Sequence, residues 1–198
     1  MGAGNQQGRP DPNLANYIAG FVDGEGSFHV AVQKNPDVRL KWQLVPEFQV
    51  SQNEHSAHVL ELIRETLNCG YIKPNHRHNP HDETYIFVVR SRSDLATKIV
   101  PFFQEFQLRT EKKHDFHIFA EVVFRMCAGE HQSSNGLSNL LRLAFSMNRS
   151  GRFRRKSLDE ILMNLEPSET VRQTLESKLD SISSEDTVRS ARRRAETN

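Results

Sequence analysis

The stretch from Asn16 to Phe28, NYIAGFVDGEGSF, sets two carboxylates, Asp23 and Glu25, among glycines directly after an apolar run. A carboxylate that acts on a phosphodiester does so by holding a hard divalent cation such as Mg²⁺, and it needs a rigid mount. The residues upstream offer one. Leu14, Ile18, Phe21 and Val22 recur at helical spacing, and Ala15 and Ala19 put small residues one turn apart. The glycines let the backbone approach a partner closely. On residue chemistry alone, Asp23 and Glu25 more readily decorate a turn, because Asp23-Gly24 is also a helix-ending signal. An EF-hand loop is excluded, since its later ligand positions are apolar here.

Other reactive side chains form no comparable constellation. Cys69 and Cys127 make no Cys-x-x-Cys pattern, which argues against a cysteine zinc site or a disulfide framework and suits a reducing compartment. His76, His78 and His81 crowd one connecting segment without a fourth metal ligand, which argues against a zinc site there. His114 and His117, one turn apart, read as surface or packing residues.

The elements around the acidic pair follow from periodicity. A chain of 198 residues suits one domain with a real core. A helix from Leu14, capped by Asp11 or Asn13, ends at Asp23-Gly24. The strand SFHVAVQK follows, then a turn at Asn35-Pro36-Asp37. In the next strand, LKWQLVPEFQVSQ, Trp42, Leu44, Phe48 and Val50 share one face; Pro46 belongs on an edge-facing position or a bulge. AHVLELIRETL is an amphipathic helix, and GYIKPNHR with ETYIFVVR forms a second strand pair. SDLATKIVPFF is helical, capped by Ser93 or Asp94 and stopping near Pro101. A longer helix covers EKKHDFHIFAEVVFRM, with shorter ones over Asn139–Met147 and Leu158–Leu165, and SETVRQTLESKLDSI closes the fold.

This order is an α+β pattern: one antiparallel sheet with helices on one face and the other face open. The open face carries Ser27, His29, Gln33, Lys41, Gln43, Gln49, Tyr71, Lys73, Asn75, Arg77 and Arg90. Such a face could simply be solvated. Yet Gln, Asn, Arg and Lys are the residues that read base edges and hold phosphates. A net charge of only +1 means that attraction for a polyanion must come from where the charges sit.

IAGFVDGEG resembles the LAGLIDADG motif of homing endonucleases. Ala19, Gly20, Asp23 and Gly26 match outright; Ile18, Phe21, Val22 and Glu25 are conservative replacements, and Gly24 stands in place of alanine. PEFQVSQ, the helix after it, the GYIK strand, the PFF segment, the EKKHDF helix and SETVR follow in the order of the single-motif, homodimeric members found in organellar introns. The resemblance covers about Leu14 to Ser181. It implies an αββαββα fold whose saddle-shaped sheet straddles double-stranded DNA, and an Mg²⁺-dependent phosphodiester hydrolase that makes a double-strand cut in a long, near-palindromic target. Mn²⁺ is expected to substitute, and Ca²⁺ to support binding without cleavage. Glu25 becomes the metal ligand, assisted by the Gly24 carbonyl, with Asp23 structural. Two copies of the motif helix would pack through Tyr17, Ala19, Gly20 and Phe21, bringing two Glu25 carboxylates together.

Beyond the acid, Gln52 matches a glutamine that orients water near the scissile phosphate. The arginine of the family falls at Ser56, with His55 a possible substitute. Lys112 matches the basic residue that stabilises the phosphate, with Lys113 and Arg109 as alternatives. The alternative activity is a non-cleaving nucleic-acid-binding protein of the same fold, an intron RNA maturase or a DNA-binding regulator. Residues 1–12 are expected to be a flexible leader, 13–182 the endonuclease domain and 183–198 a flexible tail. No membrane partner or small-molecule substrate is expected. The N-terminus lacks the apolar segment of a secretory signal. The expected location is intracellular, with DNA, in a bacterial cytoplasm or an organelle such as a chloroplast or mitochondrion.

Overall fold

A computed structural model of the chain describes residues 10–75, 82–150, 156–163 and 165. Arg77, the three loop histidines, the closing SETVR segment and both terminal tails fall outside those residues.

Helix α1 (Pro12–Glu25) starts where Asp11 accepts a hydrogen bond from the Asn13 amide at 3.2 Å, and proline at the first position fits a place that needs no donor. The helix does not stop at Gly24. It runs through Glu25, and the chain turns into a strand at Gly26. The reason is local. A Cβ on Gly26 would lie 2.5 Å from Val22 Cγ1 and 2.8 Å from the Val22 carbonyl oxygen, whereas a Cβ on Gly24 would meet nothing. Gly26 is therefore the glycine the turn from helix to strand requires.

β1 (Gly26–Lys34) and β2 (Trp42–Asn53) pair antiparallel, with Phe28 opposite Phe48 and His29 opposite Glu47. α2 (His58–Leu67) leads to β3 (Tyr71–Pro74) and β4 (Thr84–Val89), giving one sheet in the order β1-β2-β4-β3. β4 pairs with β2 only from Phe48 to Asn53. Pro46, opposite Val30 in an unbroken register, thus sits where β2 has no β4 neighbour and its missing N–H costs no bond on that side.

The next helix does not stop at Pro101. Ser91 caps α3 (Arg92–Asp94), accepting from the Asp94 amide at 3.2 Å; a π-helical turn (Leu95–Ile99) follows, and α4 (Val100–Glu105) carries the chain past the proline. A widened turn accommodates a residue that has no N–H to give to the preceding turn. α5 (Lys112–Cys127) and α6 (Ser134–Ser150) complete this unit, α6 being longer at both ends than its apolar pattern suggests. The chain divides into two units, Met1–Leu158 and Asp159–Asn198. In place of a helix to Leu165, α7 covers Leu158–Met163.

The core lies between the sheet and the helices. Phe28 is its hub, with ring centroids 4.9 Å from Phe48, 5.3 Å from Phe103, 5.1 Å from Phe116 and 5.4 Å from Phe119. All five rings are fully buried. At about 1.5–3 kcal/mol for each buried ring, this cluster anchors β1 against α5 directly beside the acidic helix end.

Candidate active site and nucleic-acid interface

Asp23 and Glu25 stand one residue apart and do different things. The Asp23 carboxylate accepts from the Arg109 amide at 2.6 Å, the Thr110 amide at 3.3 Å and the Thr110 hydroxyl at 2.8 Å. Burial pushes its pKa up, but the Arg109 amide, the two Thr110 donors and the Lys112 charge outweigh that, and the net shift is downward. Asp23 is thereby a cap for the segment entering α5. Lys112, the first residue of α5, returns the contact. Its ammonium donates to the carbonyls of Val22 at 2.8 Å, Asp23 at 2.9 Å and Gly24 at 3.2 Å. Burial lowers the Lys112 pKa against the opposing pull of Asp23 and Glu25. An ammonium on the last carbonyls of a helix complements the helix dipole and serves acceptors short of intrahelical donors, although the Val22 carbonyl also accepts from the Gly26 amide.

The result is a two-way clasp: acid from α1 to amides before α5, cation from α5 to carbonyls of α1. It fixes the backbone on which Glu25 stands, and Glu25 itself remains exposed. The exposed carboxylate is an oxygen donor that fits Mg²⁺ or Ca²⁺, and the Gly24 carbonyl beside it has a second lone pair besides the one facing Lys112. Among the described residues no three His, Cys, Asp or Glu side chains are grouped to hold a metal. A metal at Glu25 would take its remaining ligands from elsewhere.

The sequence-predicted residues distribute unevenly around this point. Gly24 and Lys112 lie within the clasp. Lys113 instead donates to Gln107 Oε1 at 2.9 Å, and Arg109 engages Asp23 through its backbone. Gly26 pairs with Val50, so Gln52 lies at the same end of the β1–β2 ladder as Glu25. Its Oε1 accepts from the Asn53 amide at 2.8 Å. His55 and Ser56 follow in the short turn Glu54–Ser56. A cleft of about 990 Å³ opens beside the clasp, lined by Ser27, Thr110, Lys112, His114, Asp115 and Asn148, among others. Asn148, in the left-handed region at φ 49°, donates its amide to Asp115 at 2.9 Å and its side chain to the Phe28 carbonyl at 3.2 Å. The role of Asn148 escaped sequence reasoning, because its partners lie 33 and 120 residues away.

On the open face, the register places Ser27, His29 and Gln33 with Gln43, Glu47 and Gln49, and Tyr71 and Lys73 opposite Val88 and Ile86. Arg90 joins them through Glu47, and Asn75 is exposed at the end of β3. Lys41 is a correction. It precedes β2 in the left-handed region, and its ammonium donates to the Pro36 carbonyl at 2.7 Å, so it belongs to the turn rather than to the strand. On α1, Ala19 is a second correction. It is 5% exposed, on the inward stripe with Ala15, Ile18 and Val22. Tyr17, Gly20 and Phe21 occupy the other side.

A family model described as LAGLIDADG endonuclease matches residues 18–123, more than half of the chain. A probable intron-encoded endonuclease of Neurospora crassa is 36% identical over 135 residues, 67% of this chain and 29% of that protein. The chain thus spans less than a third of the length of such curated relatives. The structure of the archaeal intron-encoded homing endonuclease I-Vdi141I with DNA is 31% identical with a TM-score of 0.69, covering 76% of this chain and 93% of that one. I-SmaMI bound to uncleaved DNA in the presence of calcium ions is 31% identical with a TM-score of 0.64, covering 70% of this chain and 46% of that one. The acidic helix end, the antiparallel sheet and these likenesses agree, and the chain belongs to the LAGLIDADG endonuclease family.

Proposed function

We propose that this protein is a site-specific homing endonuclease that makes a metal-dependent double-strand cut in a long, near-palindromic DNA target as a homodimer. The observation that carries the reading is Glu25. It is an exposed carboxylate on a clasped helix end, beside a sheet face whose side chains are mostly neutral hydrogen-bonding groups and cations. Glu25 and the Gly24 carbonyl would hold Mg²⁺, and when bound that ion supplies Lewis-acid stabilisation of the scissile phosphate. The chain's own residues do the rest. The clasp sets where Glu25 stands, Gln52 orients water at the same end of the sheet, and Lys112 places a cation close to the phosphate. The face carrying Ser27, His29, Gln33, Gln43, Gln49, Tyr71, Lys73, Asn75 and Arg90 reads the duplex.

Two glycines support the homodimer. Gly20 and Gly24 lie mid-helix and near its end, where glycine costs about 1 kcal/mol relative to alanine. A Cβ on either would meet open space within this chain, so its own packing does not require them. They share an exposed side with Tyr17 and Phe21, whose ring centroids are 6.2 Å apart. A glycine stripe flanked by aromatic rings lets a second helix come close, and a two-fold pairing of α1 would set two Glu25 carboxylates together. Coverage of nearly all of I-Vdi141I but about half of I-SmaMI supports a one-repeat unit.

Glu25→Gln is expected to bind its duplex like the wild type and to lose cleavage by at least about a hundredfold. The test is single-turnover cutting, in Mg²⁺, of a site recovered from a randomised-duplex library. Undiminished cutting by the variant would remove the metal-ligand role. Selective binding by the wild type without cutting would favour the maturase or regulator reading and direct attention to Ser56.

A further inference from the structure

Among the described residues one charged side chain is buried: Glu47, at 5% exposure. It is also the single acid on the sheet face proposed to meet a polyanion, a place where a carboxylate should weaken binding. The phenylalanine cluster lies on the opposite face, so packing in that cluster does not account for it. Its contacts do. Glu47 Oε2 accepts from Arg90 Nε, and Oε1 lies 3.6 Å from His29 Nε2. Both partners belong to the face read as DNA-binding, and the Arg90 side chain is 50% exposed beside its buried partner.

We infer that Glu47 is a positioning residue for base recognition: it aims Arg90 so that the guanidinium reads a guanine. An arginine on a flat surface samples many rotamers, and ordering it has an entropic cost. Engaging Nε in a charge-assisted bond fixes the plane of the guanidinium and leaves the two terminal nitrogens as a pair of parallel donors. That pair matches the O6 and N7 acceptors of guanine in the major groove. The carboxylate also cancels part of the charge that would hold Arg90 to any phosphate, which turns a non-specific contact into a selective one. His29 stands against the other oxygen from the β1 side, since His29 and Glu47 are cross-strand partners.

This inference rests on the sheet being the DNA face, and the experiment separates the two. Wild type, Glu47→Ala, Glu47→Gln and Arg90→Ala are each used to enrich duplexes from a randomised library in Ca²⁺, with circular dichroism melting as the check on folding. Arg90→Ala is expected to erase preference for G at one base pair. Glu47→Ala should reduce preference at that same base pair about tenfold, leave the other positions unchanged, and bind unselected duplex no less tightly than wild type. Glu47→Gln, which keeps an acceptor, should fall between. If Glu47→Ala and Glu47→Gln leave the wild-type profile intact, or alter a base pair other than the Arg90 one, the inference is overturned. A wild type that enriches no duplex overturns the DNA-face reading and this inference together.

Discussion

Lys112→Met removes the ammonium while keeping the length of the side chain, and so tests the clasp directly. Three carbonyls at the end of α1 lose a shared charged donor. A single hydrogen bond to a charged group is worth about 1.5–3 kcal/mol net. Three to one ammonium do not add to three times that, because the exposed end of the helix can turn some of its carbonyls to water. The ammonium is also half-buried, and methionine relieves its desolvation. The balance is a loss of about 2 kcal/mol, including the helix-end charge interaction. For a chain of this size that lowers Tm by roughly 4–8 °C. The assay is thermal unfolding by circular dichroism without metal or DNA, with Lys113→Met as control. The Lys113 ammonium donates to the surface Gln107, and its loss should cost less than about 0.5 kcal/mol. Equal melting of the two variants would show that the ammonium does not bridge the carbonyls in solution. The same variant should cut DNA poorly even where it is fully folded, because the Glu25 backbone has lost its restraint and the phosphate a nearby cation.

Two further perturbations address the same helix. Asp23 has a pKa held below its ordinary value, so its contribution is fully present above about pH 3.9 and is lost as pH falls through the lower folded value. Asp23→Asn should cost about 1 kcal/mol near neutrality and flatten the pH dependence of stability just below pH 4, read from urea midpoints across that window; parallel wild-type and variant curves would refute the capping role. A Cβ on Gly20 meets nothing in the single chain and the position is exposed, so Gly20→Leu should keep folding while it excludes a close-packed partner helix. Sedimentation equilibrium should then show a two-chain mass for wild type and a one-chain mass for the variant, and equal masses would refute pairing through this stripe.

Where the sequence spoke plainly, it spoke through periodicity. Alternation in SFHVAVQK and in the Trp42–Val50 run sorted the two sheet faces correctly, because a half-buried strand repeats every second residue. The missing N–H of Pro46 allowed an edge-facing position or a bulge, and the unbroken register with limited β4 pairing leaves the first. Where residue type alone was used, the outcome was mixed. Gly24 looked like the end of α1, yet Gly26 is the residue without room for a Cβ. Ala19 and Gly20 looked alike as small residues on a packing helix. The spacing Ala15, Ile18, Ala19, Val22 already marked Ala19 as inward, since those four follow one helical stripe.

The clasp had no comparable signal. Asp23 meets Arg109 and Thr110 across 86 and 87 residues, and no local pattern encodes such a pairing. Its consequence is that the two acids of the motif are not interchangeable despite their proximity. Asp23 is consumed by amides and a hydroxyl, which leaves Glu25 as the acid able to bind something outside the chain. Because the clasp is reciprocal, the segment leading into α5 also sets where Glu25 stands. Thr110→Val, which removes the hydroxyl that donates to Asp23, should therefore act on cleavage through the position of Glu25, a dependence that reading the motif in isolation would assign to the wrong part of the chain.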